Sequence, residues 1–160
     1  MMSMDEHVAA LAERITSKRL RRLLADWNGW RRGREFPSRA DVDPAQIKYM
    51  LGGIVLLQVT YEPLRFKYRL MGAHLAQRRG NDMTGKYLEE NPDPELASGL
   101  VRLNTEVIGT RRPQMHSYRI HSDVTGRSYH YDALNMPLSE DGTTINMIFS
   151  GSAYPDDEPS

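Results

Sequence analysis

The sequence predicts an α+β domain, an antiparallel sheet with helices packed on one face. Three observations carry that expectation. Two β-hairpin patterns, 54–71 and 115–151, flank a long amphipathic stretch running from Leu96 to Val107. A further amphipathic stretch precedes the first hairpin. The 160 residues, 39% hydrophobic and 26% charged, hold enough apolar material for one core and too much for intrinsic disorder.

Ser3-Met4-Asp5-Glu6 fits a capping box and opens a helix. Val8, Leu11, Ala12 and Ile15 share one face; Leu20, Leu23, Leu24, Trp27 and Trp30 share another, rotated by roughly a quarter turn. The helix is therefore expected to bend or break near Thr16-Ser17, and Gly33 suits a C-terminal cap. Asp43-Pro44 reads as the start of a short helix, Pro44 to Leu51. Ile54 to Tyr61 is a buried strand, and Glu62-Pro63-Leu64-Arg65 is a turn. Phe66 to Met71 alternates, with Phe66, Tyr68 and Leu70 on one face.

A short helical piece is expected at His74–Arg78, then an irregular Gly80–Gly85 segment. Asp93 as cap and Pro94 in the first turn begin the long helix, which Gly109 ends. Three strands follow, Met115–His121, Ser128–Leu138 and Thr143–Gly151. Facing Tyr118 and Ile120 with Tyr129 and Tyr131 requires Ile120 opposite Tyr129; His121, His130 and Asp132 then occupy the other face. Pro137 is expected to interrupt the ladder, having no amide hydrogen.

The function classes that composition removes are several. Without cysteine there is no disulfide, thiolate metal site, iron–sulfur cluster or Cys nucleophile. Lys+Arg and Asp+Glu balance at 21 each, which argues against a whole-chain polyanion binder. No apolar run is long enough to span a bilayer, and the acidic N-terminus lacks a signal-peptide pattern, so a cytoplasmic location is expected. Locally, Arg14, Lys18, Arg19, Arg21, Arg22, Arg31, Arg32, Arg34 and Arg39 concentrate positive charge. The organisation expected is an N-terminal amphipathic helix or pair of helices (1–34), a domain (35–153) and a disordered acidic tail (154–160).

The element order resembles that of a PAS domain. More specifically, the segment from Trp27 to Pro44 (W-x-x-x-R-x-G-R-x-x-P-x-R-x-x-x-D-P) resembles the entry to a PAS-like family of alphaproteobacteria. Phe66–Gly72 and Gly80–Lys86 (G-x-D-x-T-G) match further segments, so the likeness runs from about Leu23 to Tyr154. The resemblance implies five strands in spatial order 2-1-5-4-3, a small molecule or protein partner held between sheet and helices, and often dimerisation through an N-terminal helix. It supplies no common ligand and no functional residues. No kinase, cyclase or DNA-binding segment accompanies the domain, so signalling in trans is expected.

The candidate ligand pocket is an inward wall of Tyr68, Leu70, Tyr118, Tyr129 and Tyr131 with Leu100, Leu103, Met147 and His74. A plain core whose phenols bond to backbone groups accounts for the same pattern. The Leu20, Leu23, Leu24, Trp27, Trp30 stripe is the candidate homodimer interface. Haem would need His74 or His116 as ligand, and a photoreactive flavin would need a cysteine; neither group is expected. His121, His130 and Asp132 have metal-ligand chemistry, but exposed cross-strand pairs explain them more simply, and no metal is expected. The primary reading is a non-enzymatic sensory or regulatory module. The alternatives are a small isomerase or hydratase using Asp132, His130 or Tyr131, and a nucleic-acid binder using Arg14–Arg39. Arg34 and Arg39 are expected to tie the linker down through Asp41, Asp43 or helix carboxyl ends.

Overall fold

The N-terminal break falls where the rotated stripes demand it. In this computed structural model, which describes residues 1–157, helix α1 spans Met4–Arg14 and helix α2 spans Lys18–Trp30. The expected capping box opens α1: Ser3 Oγ accepts from the Glu6 amide at 3.1 Å, and the Glu6 carboxylate accepts from the Ser3 amide at 3.3 Å. Ile15 leaves helical geometry, and Ser17 caps α2 through the Leu20 amide.

Five strands, β1 (Ile54–Thr60), β2 (Arg65–Met71), β3 (Gln114–His121), β4 (Ser128–Leu138) and β5 (Met147–Ala153), form one antiparallel sheet in the order β2-β1-β5-β4-β3. Ile120 stands opposite Tyr129, the register that the apolar faces require. Between the strand pairs lie helix α3 (Ala73–Arg79) and helix α4 (Pro94–Thr110), which cover the inner face with the 3-10 turn at Leu88–Glu90. Asp43-Pro44 opens only a turn followed by a 3-10 segment, Lys48–Gly53, where the Gly52-Gly53 pair disfavours an α-helix. Asp93 occupies the cap position of α4 without a side-chain cap bond, and Arg111, at φ 57°, takes the left-handed terminus expected at Gly109.

Pro137 stays within β4, paired to Ile148 of β5. The interruption expected there does not occur because β3 ends at Gln114 opposite Asn135, leaving no neighbour on the other side. Strand β5 starts at Met147 rather than Thr143, since the Asp141 carboxylate accepts from the Thr143 and Thr144 amides and closes a turn.

The N-terminal helices lie on the outer face of the sheet, so the stripe expected to form a homodimer interface is covered within the chain. Leu20, Leu23, Leu24 and Trp27 are at most 1% exposed within the single chain, packed on β4 and β5. The Trp27 indole donates to the Pro137 carbonyl at 2.9 Å, and the half-buried Trp30 meets Phe149 edge-on. A Cβ at Gly151 would collide with Leu23 Cδ2, so the bare backbone lets α2 sit close to the sheet. The apolar stripe had to bury itself somewhere, and Leu134, Met136 and Leu138 on β4 supplied the partner. Helix α1 follows with Val8, Leu11 and Ile15 buried, and the His7 Nε2–H donates to the Pro113 carbonyl.

The arginine-rich linker is neutralised as expected at Arg34. Asp41 accepts from Arg34 at 2.7 Å, from Arg32 at 2.6 Å and from the Ser38 amide and hydroxyl. Arg34 also donates to the Trp30 and Arg31 carbonyls at the end of α2. Arg31, 6% exposed, reaches Asp5 at 3.0 Å. Arg39 takes no part and lines a groove on the outer face of β1 and β2. At the other terminus Tyr154 is buried and Asp156, in a 3-10 turn, binds Arg78 through both oxygens, so the packed region passes residue 153. Residues 158–160 of the expected tail lie outside the described residues.

Two outcomes follow from this packing. Leu23→Ala is expected to lower unfolding free energy by about 3 kcal/mol in urea denaturation, while light scattering finds the oligomeric state of the parent. Asp41 carries the acid sensitivity of the linker. Burial raises its pKa, but the Ser38 amide, Arg34 and the Ser38 hydroxyl outweigh that and bring it from 3.8 to about 2. The folded pKa is depressed, so this stabilisation is complete above about pH 4 and disappears as pH falls toward about 2. Asp41→Ala should cost about 1 kcal/mol at neutral pH and flatten that part of the stability–pH curve.

Candidate functional site

Strand alternation sets up the interior. Val55 and Leu57 of β1, Tyr68 of β2, Ala133 and Asn135 of β4, and Ser150 and Ser152 of β5 all point to the inner face. Above them stand Arg79 at the end of α3, Leu88, and Leu100 and Asn104 of α4. Small side chains at 133, 150 and 152 leave a cavity of ≈ 20 Å³, about the space of one water-sized group.

Polar groups fall into two sets, one on the cavity wall and one that begins at Arg79 on that wall and continues beside the cavity into the Tyr118, Tyr131 and Tyr154 cluster. The first is complete: Ser150 Oγ donates to Asn135 Oδ1, Asn135 Nδ2 to Asn104 Oδ1, and Asn104 Nδ2 to the Leu100 carbonyl, at 2.7, 2.7 and 2.8 Å. This chain ties α4 to the two central strands, and a satisfied buried network fixes one arrangement of helix on sheet.

The second set is not closed. Arg79 is 5% exposed, and its guanidinium donates to Ser152 Oγ at 3.4 Å with the Tyr68 and Tyr154 hydroxyls beside it. It lies 4.7 Å from the centroid of the Tyr131 ring. Tyr131 in turn stacks on Tyr118 at 4.9 Å and packs against Tyr154 at 5.1 Å. The hydroxyls of Tyr118, Tyr131 and Tyr154, and Arg79 Nε, are buried without a hydrogen-bond partner. Burial pushes the Tyr68, Tyr118 and Tyr131 hydroxyls above the ordinary phenol range, so they are neutral donors. Burial opposes the charge on Arg79, whereas the phenols of Tyr131, Tyr154 and Tyr68 support it and leave its pKa above the usual value. No carboxylate pairs with Arg79 among the described residues.

Tyr129 differs from these phenols. Its hydroxyl donates to the fully buried Asp93 carboxylate, which also accepts from Thr125 Oγ1 at 2.7 Å. The residue expected to cap α4 instead bolts the start of that helix to β4 and to the hairpin loop. Gly99 allows α4 to approach β3, since a Cβ there would stand 3.0 Å from the Tyr118 ring.

Of the sequence-derived pocket residues, Tyr68 and Leu100 line the cavity, while Tyr118, Tyr129 and Tyr131 face the helices without lining it. Leu103 is buried in α4 but does not line the cavity. Leu70 and Met147 face the opposite way, into the outer groove with Leu56 and Arg39. The reason at Leu70 is a register shift: Leu56 pairs with Leu70 but Leu57 with Tyr68, so Arg69 is extra and the alternation skips a residue. Met147 opposes Gln58 and Leu138 and is outward by the same logic. His74 is exposed at the start of α3, packed on Gly52, and His116 is exposed at the sheet edge against the Tyr118 ring. Neither reaches the cavity as a haem ligand would.

On the outer face Ser117 donates to Asp132 at 2.6 Å and His121 Nδ1 meets Ser128 Oγ at 2.9 Å, the cross-strand pairs that the simpler reading required. Among the described residues no three His, Asp or Glu side chains converge as a metal site would. Arg79, Asn104, Asn135, Ser150 and Ser152 were not singled out from sequence. The available signal was one amide inside each apolar stripe, Asn104 beside Leu103 and Asn135 between Leu134 and Met136.

A family model described as PAS domain matches residues 15–151. Among solved structures the chain is similar to the PAS domain of BvgS from Bordetella pertussis, at 20% identity and TM-score 0.52, covering 69% of this chain and 81% of that one. It is also similar to a domain of an HTR-like protein from Haloarcula marismortui (19% identity, TM-score 0.44, 62% and 93% covered). A sensory box sensor histidine kinase from Vibrio cholerae gives 19% identity and TM-score 0.46, with 65% and 84% covered. No curated protein matches the sequence.

The Asp93 anchor yields a direct test. Tyr129→Phe leaves a buried carboxylate one donor short and should lower stability by about 1–3 kcal/mol in chemical denaturation.

Proposed function

The chain belongs to the PAS domain family, and on that premise we propose that it is a non-enzymatic sensory or regulatory module. It holds a small molecule in the inner cavity and passes the change to another chain. The observation that carries this reading is the polar wall of the cavity at Arg79 with the unpaired phenols packed beside it. A core built for stability alone gains little from an arginine and three unpaired phenols beneath its helices.

The route outward runs through β4. Ala133 and Asn135 face the cavity, while Leu134, Met136 and Leu138, alternating with them, lie under α2. A ligand with unequal affinity for two packings of α4 on the sheet would shift the balance between them. The shift of β4 would then be felt by α2, whose exposed face includes Arg21 and is available to a partner. Two observations disfavour the alternatives. Asp132 and His130 lie on the face opposite Tyr131, which separates the acid–base groups that an isomerase would need together. Arg31, Arg32 and Arg34 are paired with Asp5 and Asp41, which removes part of the charge a nucleic-acid surface would use.

The test combines native mass spectrometry of the purified protein with thermal melting against a library of small metabolites. The expected result is a bound or library molecule that raises Tm and changes amide exchange across residues 18–30. Ala133→Leu fills the cavity, at about 1–3 kcal/mol of stability, and should abolish the Tm shift. A chain that binds nothing, or binds equally well with Leu at 133, would refute the reading.

A further inference from the structure

We propose that the inner cavity takes the carboxylate group of a small organic anion, held by Arg79. This deepens the ligand reading above and rests on it. The argument begins with two adjacent arginines at the end of α3. Arg78 points outward and binds both oxygens of Asp156, at 2.8 and 2.7 Å. Arg79 points inward, is 5% exposed, and has a serine hydroxyl at 3.4 Å and, among the described residues, no carboxylate. The phenols around this buried cation sustain its charge as dipoles, but none of them supplies a counter-charge. The Tyr131 face, 4.7 Å away, adds a cation–π interaction but likewise no negative charge.

The surroundings specify the sign and shape of what completes the site. Arg79 Nε and the hydroxyls of Tyr118, Tyr131 and Tyr154 are buried without a hydrogen-bond partner among the described residues, and each can donate, so an acceptor would satisfy them and a negative charge would match Arg79. Asn104, Asn135 and Ser150 are already engaged with one another and set the polar wall beside it. A single cation matches a monoanion, and the planar guanidinium fork matches a planar carboxylate. The ≈ 20 Å³ cavity seats one water-sized group, so a carboxylate oxygen fits beside Arg79 while the rest of the anion requires a shift of the overlying helices; a phosphate dianion is larger still and would call for a second cation.

The test is thermal melting of the full chain in sodium formate, acetate, propionate and butyrate, each against sodium chloride at matched ionic strength. The wild type is compared with Arg79→Met, a side chain of similar reach without charge. At least one carboxylate should raise the wild-type Tm saturably by several degrees, and Arg79→Met should weaken its apparent affinity about a hundredfold. In sodium chloride alone, Arg79→Met should melt at or above the wild type, because it removes an unpaired buried charge. The proposal is overturned if no carboxylate outperforms chloride, if Arg79→Met responds equally, or if Arg79→Met is less stable in chloride, which marks a purely structural arginine. An uncharged library molecule whose binding ignores Arg79→Met but is lost in Ala133→Leu overturns the anion class and leaves the ligand reading standing. A wild type that binds no molecule of any charge removes both.

Discussion

Strand β4 is buried on both faces over its second half, and the architecture is organised around that constraint. Its inward residues Tyr129, Tyr131, Ala133 and Asn135 meet α3 and α4; its outward residues Leu134, Met136 and Leu138 are fully buried beneath α2. Such a strand needs cover on two sides, and a five-stranded antiparallel sheet with helices on a single face would leave one side in water. The N-terminal helices therefore belong to the fold's core as much as the long helix does. Removing them would uncover a contiguous apolar surface from β4 to Phe149.

What was legible in the sequence was mostly local. The capping box at Ser3 and Glu6, the break before Ser17 and the pairing of Ile120 with Tyr129 depend on residues a few positions apart or on one alternation pattern. The sheet order came with the family resemblance rather than from any spacing. The Leu20–Trp30 stripe announced only that it needed an apolar partner; whether that partner was a second copy or the same chain's β4 was a question of tertiary contact. Leu70 was misplaced because period-2 counting cannot detect an extra residue, and the shift at Arg69 turns every later side chain of β2 over. Arg79 was illegible for another reason: Arg78-Arg79 reads as a solvated helix end, and only the positions of Tyr131, Ser152 and Asp156 determine which of the two turns inward.

The interior combines two kinds of polar chemistry with different consequences. The Ser150–Asn135–Asn104 chain and the Tyr129–Asp93 bond are closed systems, and they anchor α4 at its middle and at its start. Around Arg79 the donors outnumber the acceptors, and neutral phenols stand where a structural core would place a carboxylate. A protein selected for stability alone has an inexpensive remedy in a single apolar side chain at position 79. The proposed ligand would give that charge the partner that the described fold does not supply.

The two faces of β4 also explain how an event in the cavity can be felt outside it. Side chains alternate along the strand, so a displacement that moves Ala133 and Asn135 moves Leu134 and Met136 by a similar amount, whatever the direction. Packed interiors transmit such shifts because they have little free volume to absorb them. Helix α2 is held to that strand by Leu20, Leu23, Leu24 and the Trp27–Pro137 hydrogen bond, without a loop to dissipate the motion. The anchors on the cavity side are polar and geometrically specific, whereas those on the outer side are mainly apolar and tolerant of sliding. A small rearrangement at Asn104 or Arg79 therefore has an easier outlet in the seating of α2 than in the opening of the sheet.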